Sequence, residues 1–263
     1  MSFAHTIAVA VLLIAADIAT SWLSAAEIPQ AERRSGFSFM TPDTQAIQND
    51  DTANPGMLWV LDGEALWKSN ANAAGKACDD CHNDARASMK GVAARYPAFD
   101  EALGRPVNLE QRINLCRVRH QQATPLPYES RELLALTAFV AQQSRGVPIA
   151  PATDPKLDPF VAKGREFFMH RQGQLNLGCT NCHDDNWDKH LAGSAVTQGQ
   201  PTGYPLYRLE WQSLGSLERR LRNCMIGTRA QPYDYGAPEL VELELYLMSR
   251  ARGMPIETPA VRP

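Results

Sequence analysis

Two segments of the chain repeat apolar residues at the spacing of an α-helix. The apolar positions that share one helix face are Leu133, Leu136 and Val140 in the first segment and Leu240, Leu243 and Leu247 in the second. Beyond each segment come a glycine, where a left-handed cap is expected, and a proline that stops the helix: Gly146 and Pro148, then Gly253 and Pro255. No period-two alternation stands out, so the pattern predicts an all-α protein.

These signals belong to a longer internal repeat. Its matching parts, in chain order, are Gly63-Glu-Ala-Leu-Trp67 with Gly164-Arg-Glu-Phe-Phe168, Cys78-Asp-Asp-Cys81-His82 with Cys179-Thr-Asn-Cys182-His183, Leu109-Glu-Gln-Arg112 with Leu217-Glu-Arg-Arg220, a lone Cys116 with a lone Cys224, and Arg145-Gly-Val-Pro-Ile149 with Arg252-Gly-Met-Pro-Ile256. The order is the same in both copies. The repeat therefore predicts two similar domains that arose by tandem duplication.

The Pro-rich stretch Ile149-Ala-Pro-Ala-Thr-Asp-Pro155 lies between the copies and predicts a linker. We expect a first domain at 27–150 and a second at 151–263, which suits the usual domain size of about 100 residues. A composition of 44% hydrophobic and 21% charged residues excludes a disordered chain and a protein with many membrane spans. The net charge of -3 gives no reason to expect nucleic-acid binding.

The N-terminus has the features of an export signal. Residues 7–16 are almost wholly apolar, and Ser24-Ala-Ala26 supplies small residues before the polar Glu27. We expect a signal peptide at 1–26 that is cleaved on export to the periplasm. The alternative is an uncleaved membrane anchor. Asp17 ends the apolar run well short of the ~20 residues that a spanning helix needs, so no stable membrane insertion is expected.

The two Cys-x-x-Cys-His units carry the chemistry. In an exported protein this spacing indicates covalent attachment of c-type heme, with the two thiols on the porphyrin and the histidine on the iron. We therefore predict two hemes. The residues expected to hold them are Cys78, Cys81 and His82 in the first copy and Cys179, Cys182 and His183 in the second. A redox dithiol or half of a zinc site is the alternative, but neither unit has the second ligand pair that zinc requires.

Each iron should take a further ligand from the C-terminal part of its domain. The candidates are Met89, Cys116 and His120 in the first copy and His190, Cys224 and Met225 in the second. Only the lone cysteine occupies the same place in both copies. We therefore assign His82 and Cys116 to the first iron and His183 and Cys224 to the second, and we expect thiolate ligation to favour low reduction potentials.

A structural disulfide between Cys116 and Cys224 is the competing interpretation, because an even pair of thiols in an oxidising compartment often forms one. The duplication argues against it. Equivalent residues should each lie near their own heme, whereas a disulfide needs Cα atoms within ~7 Å of each other.

Arginines surround both lone cysteines: Arg112, Arg117 and Arg119 near Cys116, and Arg219, Arg220, Arg222 and Arg229 near Cys224. Arginine lowers the pKa of a thiol and binds oxyanions in a bidentate manner. Arg220 lies four residues before Cys224, on the same face if the segment is helical. We single out Arg220 as a partner for a small dianionic substrate, and we expect most of the others to pair with heme propionates or to be solvated.

With these features in place, the chain resembles the SoxA family, the diheme c-type subunits of the SoxAX cytochromes of periplasmic thiosulfate oxidation. The resemblance covers the whole mature chain. It rests on the predicted signal peptide, the two heme units, the lone cysteine in each copy and the Arg-Asn-Cys-Met-Ile-Gly stretch at 222–227.

The resemblance implies two cytochrome c-like domains in tandem and an L-cysteine S-thiosulfotransferase activity. Thiosulfate would be joined oxidatively to a cysteine of the carrier SoxYZ, and two electrons would pass through heme to an acceptor cytochrome c. Cys224 would be the catalytic cysteine, able to carry a persulfide, and Arg220 would hold thiosulfate. The monoheme cytochrome SoxX would complete a heterodimer.

Two other functions fit the same residues less well. A plain diheme electron carrier would have ligand-saturated hemes and no use for Arg220. A thiosulfate dehydrogenase that releases tetrathionate would need neither a carrier protein nor a monoheme partner.

Overall fold

The structure is a computed structural model that describes residues 28–72 and 75–263. The predicted signal peptide at 1–26 lies outside these residues. Ten α-helices are found in the described part: α1 Pro42–Asn49, α2 Met57–Lys68, α3 Asp79–His82, α4 Ala85–Ser88, α5 Leu109–His120, α6 Arg131–Gln142, α7 Asp158–Met169, α8 Cys179–His183, α9 Leu217–Gly227 and α10 Pro238–Arg250. Short 3₁₀ turns lie at Gln30–Glu32, Gly36–Phe39, Ala93–Arg95 and Pro155–Leu157.

Each copy of the repeat is built on one pair of crossed helices, α2 with α6 and α7 with α10. The predicted apolar faces are confirmed: every residue from Leu133 to Ala141 is buried, as are Leu240, Leu243 and Leu247. The left-handed conformation of Gly146 and Gly253 is confirmed, with φ of +80° and +86°, but the prediction that they cap the helices is wrong. The C-caps are Gln143 and Ala251, and the two glycine amides instead donate across to the other copy.

A glycine allows the two helices of each pair to touch at their backbones. A Cβ atom on Gly63 would overlap the carbonyl of Ala135 and lie 2.6 Å from Cβ of Phe139. In the second copy a Cβ on Gly164 would overlap the carbonyl of Glu242 and lie 2.8 Å from Cβ of Tyr246. Only glycine fits so close an approach, which explains why the repeat has glycine at both positions.

An aromatic pair sits one helical turn beyond each crossing. The ring centroids of Trp67 and Phe139 are 5.7 Å apart in the first copy, and those of Phe168 and Tyr246 are 5.5 Å apart in the second. Each pair belongs to the apolar core of its own copy. The rings lock the crossed helices together, and they do so next to the Cys-x-x-Cys-His unit, because the Trp67 ring also lies 5.6 Å from that of His82.

Short strands join these helices, and the sequence did not predict them. The strands are β1 Ala98–Asp100, β2 Arg105–Val107, β3 His190–Leu191, β4 Ser194–Ala195, β5 Leu206–Arg208, β6 Ser213–Gly215 and β7 Val261–Arg262. Strands β1 and β2 form a hairpin that β5 and β6 repeat in the second copy, where β7 adds a parallel strand to β5. Strands of two or three residues are too short for a period-two pattern to appear.

The two copies meet through their matching C-terminal motifs. Ile149 at the start of the predicted linker is fully buried rather than exposed, and Ile256 is 5% exposed. The backbone bonds between the motifs come in symmetric pairs: Gly146 N to Ile256 O at 2.9 Å with Gly253 N to Ile149 O at 2.8 Å, and Ile149 N to Met254 O at 2.8 Å with Ile256 N to Val147 O at 3.0 Å. The duplicated halves therefore face each other about a local twofold axis.

Among the described residues, no helix combines the length and the apolar character needed to cross a bilayer.

Candidate heme and thiol site

Both Cys-x-x-Cys-His units lie on one-turn helices, as their spacing requires. Cys78 precedes α3 as its N-terminal cap and Cys179 begins α8. Each histidine ends its helix. A single turn brings two cysteines three residues apart to one side, which is the arrangement needed for two bonds to one porphyrin.

The lone cysteines lie on the helices that follow the two hairpins. Cys116 is on α5, which Asn108 begins with a capping box, and Cys224 is on α9, where the Ser216 hydroxyl accepts from the Arg219 amide at 3.1 Å. The helical prediction for the segment of Arg220 and Cys224 is thus confirmed.

Each lone cysteine faces the Cys-x-x-Cys-His unit of its own half. Cys116 interacts electrostatically with Cys78 and Cys81, and Cys224 with Cys179 and Cys182. All six cysteines are free thiols, and no disulfide joins Cys116 to Cys224. Of the alternative ligands, Met89 and Met225 are buried, while His120 and His190 are exposed.

The ring of His183 is held in one orientation. Its Nδ1 lies 2.7 Å from the carbonyl oxygen of Thr197, and Gly199 packs against the ring, where a Cβ atom would lie 3.0 Å from the His183 Cγ. A protonated Nδ1 that donates to this carbonyl leaves Nε2 as the free nitrogen for a metal. Thr197 and Gly199 lie outside the repeat, so sequence comparison between the halves could not have found them.

The electrostatic surroundings of Cys224 favour its thiolate. Burial raises the pKa of a thiol, but here the hydrogen bond with His183 and the positive charges of Arg220 and Arg208 outweigh it, so the pKa of Cys224 lies below its ordinary value. Cys116 differs, because burial prevails there over its neighbouring arginines and raises its pKa. The pKa values of the two equivalent thiols are therefore shifted in opposite directions.

Arg208 is a basic residue of this site that sequence reasoning missed. It lies on β5, its side chain is 12% exposed, and its charge acts on both Arg220 and Cys224. The sequence did contain an indication of this hairpin position. Tyr96-Pro97 and Tyr204-Pro205 are a further matching part of the repeat, and each lies just before a hairpin. Both of these peptide bonds are cis in the structure.

The other predicted arginines have separate partners. Arg219 lies 3.8 Å from a Glu129 carboxylate oxygen and 4.2 Å from the centroid of the Trp211 ring, and Arg222 lies 4.4 Å from that of Tyr235. Arg229 is exposed. In the first half Arg117 donates to the Thr124 carbonyl at 3.2 Å. Arg220, by contrast, acts electrostatically on Cys224. Pairing of the other arginines with heme propionates stays a prediction.

The donor set in each half fits a c-type heme. Two thiols on one turn of helix can form the two thioether bonds, the adjacent imidazole can ligate the iron, and the lone thiol lies within electrostatic reach of the same turn. Zinc fits less well, since no cluster of three or more metal-ligating side chains is found within residues 28–72 and 75–263.

Comparison with known proteins agrees with this geometry. The family model of the SoxA/TsdA cytochrome c domain matches residues 62–149 and 163–256, one segment in each copy of the repeat. A cytochrome c domain binds heme, so the chain is a heme protein.

Two curated relatives match over most of their length. The chain is 40% identical over 231 residues to the L-cysteine S-thiosulfotransferase subunit SoxA of Rhodovulum sulfidophilum, which covers 88% of this chain and 80% of the relative. It is 39% identical over 235 residues to the subunit of the same name from Pseudaminobacter salicylatoxidans, with 89% and 82% covered. Among solved structures, the SoxXA crystal structure from P. pantotrophus has a TM-score of 0.84 at 30% identity and covers 88% of this chain and 87% of that one.

Proposed function

The chain belongs to the SoxA/TsdA cytochrome c family, and from this premise we propose that it is an L-cysteine S-thiosulfotransferase subunit of the SoxA type. Its substrate would be thiosulfate, and the acceptor would be a cysteine of the carrier protein SoxYZ. The observation that carries the proposal is the setting of Cys224, a free thiol within electrostatic reach of His183 and of two arginines.

The reaction joins the terminal sulfur of thiosulfate to the carrier thiol. A sulfur–sulfur bond forms, the thiol proton is released, and two electrons leave. When bound, the two c-type hemes would accept these electrons one at a time and pass them to an acceptor cytochrome c.

The chain's own residues bind and orient the sulfur. Cys224 would ligate the second heme iron beside the bound thiosulfate and is the residue on which we expect a persulfide, and its lowered pKa supports a role as a thiolate. Arg220, four residues earlier on the same face of α9, would offset the negative charge of the bound anion. Cys116 and His82 would hold the first iron.

The same premise supports a partner subunit and a cellular compartment for the protein. The solved relative is a SoxXA complex, which supports a heterodimer with a monoheme SoxX subunit. The apolar stretch and small-residue site at 1–26 support export to the periplasm.

Replacement of Cys224 tests the proposal. In the assembled enzyme, Cys224→Ser should abolish thiosulfate-dependent conjugation to SoxYZ while both hemes stay covalently attached, as mass spectrometry of the intact chain would report. Retained conjugation would reject the catalytic role. Native protein should carry about 32 Da extra on Cys224 where the persulfide forms.

Electron paramagnetic resonance tests the ligands separately. Two low-spin His/thiolate signals are expected, and Cys116→Ala and Cys224→Ala should each alter only one of them. A His/Met signature at both irons would reject thiolate ligation. Tetrathionate release without SoxYZ would identify a thiosulfate dehydrogenase, and no reduction by thiosulfate would identify a plain electron carrier.

A further inference from the structure

Arg208 and Asp100 occupy the same place in the two halves. Each is the last residue of the first hairpin strand, paired with Ser213 in one half and with Arg105 in the other. The next helix begins the same number of residues later, at Leu217 and Leu109. The duplicated framework thus presents a carboxylate in the first half where it presents a guanidinium in the second.

In the first half this carboxylate pairs with two of the arginines near Cys116. Asp100 is 4% exposed and lies 2.9 Å from the Arg112 guanidinium and 3.0 Å from that of Arg119. Arg112 is the counterpart of Arg220, and it also donates to the Tyr96 hydroxyl at 3.2 Å. Asp100 offsets one of the two positive charges, and both guanidinium groups use donors on groups of the protein, so they are less available to a bound anion.

In the second half the counterpart of Arg112 has no such partner. Within the described part of the chain, no carboxylate lies within salt-bridge distance of Arg220. Instead Arg208 adds a second positive charge that acts on Arg220 and Cys224. Its own ion pair, with Glu210 at 3.2 Å, involves a side chain that is 67% exposed and therefore well screened by water.

Arg208 is held rigidly in this place. Its Nε donates to the backbone oxygen of Pro263 at 2.8 Å, and its guanidinium carbon lies 5.2 Å from the centroid of the Trp211 ring. Two half-buried guanidinium groups repel each other, and a doubly charged anion between them would remove that repulsion. Guanidinium groups also match the oxygen geometry of sulfur oxyanions.

We propose that Arg208 and Arg220 together bind the dianionic substrate beside Cys224, and that the change from Asp100 to Arg208 at equivalent hairpin positions confines anion binding to the second half. This inference rests on the proposed function and adds a binding residue to it. It also explains why two halves with equivalent cysteines would have one substrate site.

The test measures thiosulfate affinity apart from turnover. Isothermal titration of thiosulfate into the assembled Cys224→Ser enzyme gives the affinity, and steady-state assays in the wild-type background give KM and kcat. Arg208→Gln should weaken binding and raise KM by about tenfold or more, as expected for loss of a charged hydrogen-bonding partner. Arg208→Lys should restore part of the affinity, and Arg208→Asp, which copies the first half, should lower it further.

Arg229→Gln is the matched control. It removes the same charge from an exposed arginine five residues after Cys224 and should leave the affinity unchanged. An equal loss of affinity in both variants would show that only net charge matters, and it would overturn the proposal. An unchanged KM in Arg208→Gln would also overturn the proposal. A shifted spectrum of the second heme with unchanged thiosulfate affinity would overturn it too, because it would assign Arg208 to the heme. If Cys224→Ser stays active, the proposed function fails instead, whatever Arg208 does.

Discussion

The Asp184 carboxylate accepts two hydrogen bonds from the guanidinium of Arg250, at 2.6 and 3.3 Å, and both side chains are buried. Asp184 directly follows His183, and Arg250 is the last residue of α10. Arg250 also lies 4.4 Å from the centroid of the Phe168 ring. The ion pair therefore fastens α8, with its histidine, to the crossed helices. In the first half Asn83 and Gln143 stand at the equivalent positions.

Breaking this ion pair should be strongly destabilising. We expect Asp184→Asn to lower the free energy of unfolding by about 3–5 kcal/mol, because the Arg250 charge would be left buried without a counter-ion. Urea unfolding of the holoprotein measures the change. The double variant Asp184→Asn/Arg250→Gln, which copies the first half, should recover much of the loss. A single variant within about 1 kcal/mol of wild type would contradict the expectation.

The helix crossing of the second half should not tolerate a methyl group. Gly164→Ala would push Cβ into the backbone of α10, so we expect a loss of about 1–3 kcal/mol or more in unfolding free energy. Gly227→Ala is the control, because nothing lies within 4 Å of a Cβ there. It should be neutral or stabilising by about 0.4–1 kcal/mol. Equal effects of the two substitutions, measured by urea unfolding, would show that the crossing has room to relax.

Orientation of His183 should depend on Gly199. This residue has φ of +71° and contacts the imidazole, so Gly199→Ala should tilt the ring and alter the electron paramagnetic resonance signal of the second heme only. Gly193→Ala imposes the same kind of backbone strain, at φ of +84°, with nothing within 4 Å of the new methyl group. Its spectrum should match wild type. An unchanged Gly199→Ala spectrum would mean that the packing does not set the ring orientation.

Stability should fall as pH rises, because of carboxyl groups buried between the halves. Burial raises the pKa of Glu218 to about 7 and also raises the pKa values of Glu110 and Glu244. The Asn108 amide donates to Glu218 at 3.0 Å and to Glu244 at 3.3 Å. The folded state thus keeps protons that the unfolded state loses above about pH 4.3.

This contribution is fully present below about pH 4.3 and is lost as pH rises through the folded pKa, which for Glu218 is about 7. Urea unfolding should therefore give a smaller free energy at pH 8 than at pH 5, by up to about 1.4 kcal/mol per pH unit for each group. Glu218→Gln cannot release a proton and should flatten the profile. A profile that rises between pH 5 and pH 8 in the wild type would contradict the assignment.

The sequence by itself determined the helices, the duplication and the Cys-x-x-Cys-His units, because each depends on the spacing of residues that are close together in the chain. Apolar residues at helical intervals predicted α6 and α10, and cysteines three apart fit one turn of helix. Comparison of the two copies selected Cys116 and Cys224, and the four-residue spacing to Cys224 singled out Arg220.

Only the tertiary structure decided how the equivalent residues differ. The hairpin that places Arg208 in one half and Asp100 in the other has strands too short for any periodic signal, and the partners of Cys224 come from three separate segments. The pairing of Ile149 with the second C-terminal motif likewise joins residues far apart in the chain. Charge and burial at a site depend on such distant neighbours, and local spacing does not record them.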